Sequence, residues 1–206
     1  VYVSANMAVP AEKIDAFLVS KAEFILNAQK KFALQEQYKP QPKQYISGET
    51  FYLQGRALRL KVIRASKEQL YSDGVHLFLE VKDPQDFSKK ERMVMRFFDR
   101  QCKEVFGEIV EELYPVFQKY GVAVPSLRIR SMDTRWGSCL PGKGVITLNK
   151  RLLEAPRNCI EYVVMHELCH FIHPNHSKHF YAFLSMLMPD WKERKKVLDA
   201  NDTYYL

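Results

Sequence analysis

Residues 165–180 read MHELCHFIHPNHSKHF and hold five of the six histidines in the chain. No other stretch constrains the fold as much. In His166-Glu167-Leu168-Cys169-His170, the two histidines meet only if the segment is helical, where positions i and i+4 project from one face a turn apart. Pro174 disfavours helical geometry at His173, so that helix should end near Ile172. Two imidazoles one turn apart can share a metal ion, and Zn²⁺ is the usual guest of such nitrogen sites. Glu167, about 100° round the helix from His166, points beside that ion. A general base must stand there to take a proton from metal-activated water.

Catalytic zinc sites usually take three protein ligands and leave one position open. His173 shares the face of the pair but lies about 10 Å along the axis from His166, too far for a shared ion. His176 lies beyond the break, where the chain can turn back. The spacing H-E-x-x-H-x-x-x-x-x-H is that of three-histidine zinc proteases, although those carry Gly where this chain has His173. His176 is therefore the expected third ligand, ahead of His179 or a carboxylate such as Glu193. His173 and His179 are expected at the surface or behind the ligands.

The surrounding pattern gives an α+β chain. Val1-Tyr2-Val3 reads as a strand remnant. Pro10 then opens a helix with an apolar stripe at Ile14, Phe17, Leu18, Ala22 and Ile25. Residues 35–49, with Pro40 and Pro42, read as a loop. Strands are expected at 51–53, 58–63 and 76–81, with turns at Gly55 and Asp73-Gly74, making an antiparallel sheet. After Asp83-Pro84, apolar residues from Val94 to Phe117 trace a long amphipathic helix ending near Gly121. Residues 126–132 and 144–148 read as strands joined through Pro-Gly-Lys-Gly. Pro156 opens the helix that carries the histidines, Ser177 caps a helix to about Leu187, and Pro189-Asp190 starts another. The expected division is a β-rich part over 1–83 and a catalytic part over 84–206, packed as one compact unit.

A net charge of +7 allows an anionic partner. The excess is spread along the chain, however, and its densest cluster, Lys192 to Lys196, reads as a solvated helix face, so nucleic acid is not the favoured partner. The four cysteines form no C-x-x-C pair, which suits a reducing compartment. No apolar run approaches the roughly 20 residues of a membrane span. The start lacks the charged end and apolar core of a signal peptide, and a cytoplasmic location is expected.

Arg135-Trp136-Gly137-Ser138-Cys139 lies between the two strands before the histidine helix. It reads either as a hairpin with a core Trp or as a loop and edge strand beside the metal. In the second case a peptide could add by strand pairing, and Arg135 or a backbone N–H could stabilise an oxyanion. Arg135, Trp136 and Ser138 are the candidate substrate-binding residues.

Together with Gly144-x-Ile146-Thr-Leu-Asn149, Ala155-Pro156, Ile160 to Val164, Asn175-His176-Ser177 with Phe180, and Pro189-Asp190-Trp191, these motifs resemble the YgjP-like metallopeptidase family, related to SprT-like and Wss-type zinc proteases. Ser47-Gly48-Glu49, Tyr52-Leu53-x-Gly55 and Leu58-Arg59-Leu60 extend the resemblance over nearly the whole chain. It lacks the basic β-hairpin that usually precedes the Val-x-Val segment. The resemblance implies a zincin-like fold, Zn²⁺ on His166, His170 and His176, and Glu167 as the catalytic residue. The expected activity is hydrolysis of a peptide or protein. The rival readings are a hydrolase of nucleotide phosphoanhydrides, a nucleic-acid-associated protease and a non-catalytic zinc-stabilised interaction domain.

Overall fold

The computed structural model of the protein describes residues 2–37 and 42–201 and divides into two compact units, one up to residue 37 and one from Pro42 onward. In the first unit the expected single helix is two: α1 (Ala11–Ser20) and α2 (Ala22–Gln37). Lys21 leaves helical geometry between them at φ −110, ψ 7. The Ser20 hydroxyl assists by donating to the Phe17 carbonyl at 2.7 Å, the local competition that makes Ser a poor helix-interior residue. Tyr2 and Val3 have irregular backbone rather than a strand, and α2 continues to Gln37, into the segment read as a loop. Val1 and Pro40 lie outside the described residues.

The second unit is α+β. Strands β1 (Thr50–Leu53), β2 (Arg56–Arg64), β3 (Gln69–Ser72) and β4 (His76–Val81) form a sheet in the order β1-β2-β4-β3. Two of its pairings are antiparallel, but β2 and β4 run parallel. The cause is β3, which the sequence reading passed over. The chain lays β3 along the outer edge and returns through the Asp73-Gly74 turn into the slot beside β2. Asp73 fixes that turn by accepting from the backbone N–H groups of Val75 and His76, and Gly74 takes φ +90.

Helix α3 (Phe87–Gln118) starts on the Asp86 cap, whose carboxylate accepts from Lys89 N at 2.9 Å. At 1.5 Å per residue it is about 48 Å long. Its first turns give Val94 and Phe97 to a core made with Leu58, Leu60, Leu77, Leu79 and Val81 of the sheet. Its later turns give Val105, Phe106, Ile109 and Phe117 to a second, larger core.

That larger core contains the second sheet, β5 (Ser126–Arg130), β6 (Gly137–Leu140) and β7 (Val145–Asn149), in the order β5-β7-β6. The Pro-Gly-Lys-Gly turn joins β6 to β7, not the two strands expected. β5 is instead parallel to β7, and β6 is an antiparallel edge strand. All five residues of β7 are buried, because helices α4 (Arg157–Cys169), α5 (Lys178–Leu187) and α6 (Trp191–Asn201) complete the core around it. The tip of the first hairpin docks just before α4. There Gln54 N–H and Gly55 N–H donate to the carbonyls of Leu153 and Glu154 at 2.8 and 2.9 Å. Gly55, at φ +79, lies so close to Pro156 that a Cβ would stand 2.9 Å from its Cγ. No helix among the described residues is long and apolar enough to cross a membrane.

Candidate metal centre

Helix α4 is buried on most of its surface, through Ile160, Val163, Val164 and Leu168 among others, so the register of the two histidines is set by the core. The α-helix ends at Cys169, three residues before Ile172. Its last turn then tightens, with Phe171 and Ile172 N–H donating three residues back, a common way of using carbonyls at a helix end. His170 at the C-cap keeps helical angles and still faces His166. Ser177 caps α5 by accepting from Phe180 N, which brings His176 back over the pair.

His166, His170 and His176 form a group able to hold a metal ion, their ligand nitrogens all lying within 4.8 Å of one another. The three ring centroids are 4.8 to 5.0 Å apart. Nε2 of His176 is 2.9 Å from Nε2 of His166. Nδ1 of His170 is 3.2 Å from the His173 carbonyl. That hydrogen bond requires Nδ1 to carry the proton and leaves Nε2 as the lone-pair donor. Phe180, fully buried, lies 4.7 to 4.9 Å from each of the three rings and forms an apolar floor beneath them. Burial, then the neighbouring imidazoles, holds His166 down to about 3. Burial also lowers His170, against the hydrogen bond that its ring donates to the His173 carbonyl. Both rings are therefore neutral at physiological pH, the state in which imidazole binds a metal. The donor set fits a divalent cation of nitrogen preference.

His173 and His179 stand outside this group. Their rings stack on each other at 6.4 Å, and the His173 ring meets the edge of Phe183. His173 serves the site through its backbone carbonyl, a role invisible in a pattern of side chains.

The histidines open on a cleft of about 460 Å³ whose other wall is Arg135 and the edge strand β6. Glu167 lines it and is only 6% exposed. Burial pushes its carboxyl up to about 8, with the Arg135 guanidinium opposing. Its side chain lies against Gly137, where a Cβ would come within 2.7 Å of Oε1. Only a glycine on the edge strand leaves room for it.

Of the residues singled out in the loop, Arg135 and Ser138 line the cleft. Trp136 instead lines a cavity of about 240 Å³ beside Glu167, shared with Tyr162, Lys195, Leu198 and Asp199. The Arg151 guanidinium lies 5.4 Å over its ring. The loop is clamped by Asn149, 2% exposed, whose Nδ2 donates to the carbonyls of Met132 at 2.7 Å and Arg135 at 2.8 Å.

Three imidazoles thus converge beside a buried glutamate, in a cleft walled by an edge strand, and form a group that could hold a metal ion. The chain belongs to the YgjP-like metallopeptidase family, whose domain profile matches residues 1–201. Among solved structures it is similar to the metallopeptidase zymogen abylysin of Pyrococcus abyssi, with 20% identity and a TM-score of 0.41 over 48% of this chain and 93% of that one. It is also similar to the metallopeptidase zymogen jannalysin of Methanocaldococcus jannaschii, with 22% identity and a TM-score of 0.40 over 46% of this chain and 88% of that one. A search of the curated proteins returns no match.

Proposed function

We propose that the protein is a zinc-dependent peptidase in which His166, His170 and His176 hold the metal and Glu167 is the general base. The observation that carries this reading is the convergence of three imidazole nitrogens beside a buried carboxylate. Zinc bound there supplies Lewis acidity, polarising a carbonyl and lowering the pKa of a water toward about 7.

The chain's own groups do the rest. Glu167 accepts the proton of the attacking water and delivers it to the leaving amine. Edge strand β6 uses one side for β7 and offers the N–H and C=O groups of the other to an extended peptide. Arg135 puts a cation beside the reacting carbonyl. Phe180 closes the site from below.

The test separates the roles. Glu167→Gln should keep stoichiometric zinc and lose turnover by about 10²- to 10⁴-fold, whereas His176→Ala should lose the zinc. Turnover is read on quenched-fluorescence peptide pools, with nucleoside triphosphates assayed alongside because Arg135 could also hold a phosphate. A fully active Glu167→Gln protein would overturn the mechanism, and cleavage of the triphosphates alone would overturn the substrate class.

A further inference from the structure

His176 is the one imidazole of the three that no helix carries. It follows the bend at Pro174-Asn175 and is exposed, whereas the other two are half-buried, on α4 and at its C-cap. His170 has the His173 carbonyl to orient it. Among the described residues, the hydrogen bond of the His176 ring is the one between its Nε2 and that of His166. A metal would replace that contact, so it cannot be what orients the ring for ligation. The orienting contacts are aromatic.

Tyr181 stacks on the His176 ring at 6.0 Å and 23°. Trp191 stacks on Tyr181 at 5.5 Å and 20°, and Tyr162 stacks on Trp191 at 6.3 Å and 14°. Tyr162, one helical turn before His166, meets that ring edge-on at 6.0 Å. Four nearly parallel rings thus run from one histidine of the site, across α5 and α6, back to another on α4. The stack has firm supports. Trp191 Nε1–H donates to Ser185 Oγ at 2.8 Å, and Tyr162 is buried.

We infer that Tyr181, backed by Trp191 and Tyr162, is a positioning residue for His176, a stacked aromatic strut that holds the loop histidine in the geometry for metal ligation. The inference rests on the reading of His166, His170 and His176 as the metal site. An exposed histidine on a bend otherwise samples several rotamers and loses that freedom only on binding. Aromatic pairs at these distances favour offset stacking. A ring held in place beforehand lowers the cost of ligation.

The experiment compares the unaltered full chain with Tyr181→Ala, Tyr181→Phe and Trp191→Leu. Zinc affinity is read by competition with a chromophoric chelator, cobalt(II) coordination by its visible absorption, and the stability of the metal-free protein by thermal melting. Tyr181 is 40% exposed, so its loss should leave the metal-free melt nearly unchanged. Tyr181→Ala should weaken zinc by about 10- to 100-fold, the usual effect of removing a group that orients a ligand, and should change the cobalt(II) spectrum. Tyr181→Phe, which keeps the ring, should stay within about threefold. Trp191→Leu, which does not touch His176, should weaken zinc by an intermediate factor. Zinc affinity of Tyr181→Ala equal to that of the unaltered chain would overturn the strut, as would an equal loss in Tyr181→Phe. An unaltered chain that binds no zinc would overturn the metal site itself, and the strut with it.

Discussion

Replacing Gly137 with alanine tests whether Glu167 acts from the position it occupies. A Cβ at residue 137 would lie 2.7 Å from Glu167 Oε1, 2.9 Å from Cγ and 3.0 Å from Cδ. Ordinary contact begins near 3.4 Å, so the carboxylate must retreat by about 0.7 Å. Glu167 is nearly enclosed and cannot swing into solvent. The backbone of Gly137 does not occupy the left-handed region, and the three atoms nearest an added Cβ all belong to Glu167, so alanine acts first on that side chain. A misplacement of about 1 Å typically costs on the order of 10²-fold in rate. The retreat worked out here corresponds to roughly 30-fold in kcat/KM, or about 2 kcal/mol of barrier. Because Glu167 is not among the three histidines proposed to hold the metal, zinc content should not change. The assay is kcat/KM on a cleaved peptide, with zinc measured on the same sample and Leu140→Ala, exposed on the same strand, as the control. Full activity in Gly137→Ala, or a loss of zinc that accounts for the lost activity, would refute the assignment of the base.

Other perturbations test the frame around the site. Burial pushes the Glu154 carboxyl from its ordinary 4.5 up to about 7. The folded state therefore binds this proton more tightly than the unfolded chain, and stability falls as pH rises through that window. Glu154→Gln should stabilise the protein by about 2 kcal/mol at pH 8 and by almost nothing at pH 4, read from urea melts; equal effects at both would disprove it. Asn149→Ala removes the clamp on the Met132 and Arg135 carbonyls. It should cost about 2–4 kcal/mol and speed amide exchange at residues 131–136. Gly55→Ala must both hold φ +79 and push against Pro156, so a loss of about 2 kcal/mol in thermal stability is expected; an unchanged melt would show that the hairpin tip can move away freely.

Much of the site was legible because its parts are local. The spacing of His166 and His170 and the break at Pro174 act within a turn or two, and the chain does bend back to present His176. What could not be read depends on contacts distant in sequence. A Phe at position 180 looks like any core residue until three imidazoles lie over it. The demand for glycine at 137 appears only once β6 is laid against α4. The His173 carbonyl works through backbone, on which side-chain patterns are silent. In the first sheet, the Asp73-Gly74 turn announced a hairpin, and reading backwards from it would have found β3 at Gln69–Ser72. The parallel pairing of β2 and β4 follows from that strand's place at the edge, which alternation alone cannot give. The expected strand at 144–148 lies one residue from the observed Val145–Asn149, whereas its parallel pairing with β5 and the intervening edge strand β6 depend on contacts distant in sequence.

The long helix α3 has a thermodynamic consequence. Its early turns complete the core of the first sheet, its later turns lie in the core around the histidine helix, and Phe98 packs against both. Melting either core strips an apolar face from the same rod and exposes it to water. That cost links the two halves, so partial unfolding of the first sheet is penalised by the stability of the second core. Heat or denaturant should meet one cooperative transition across residues 42–201, and the cleft keeps its shape until the whole unit gives way.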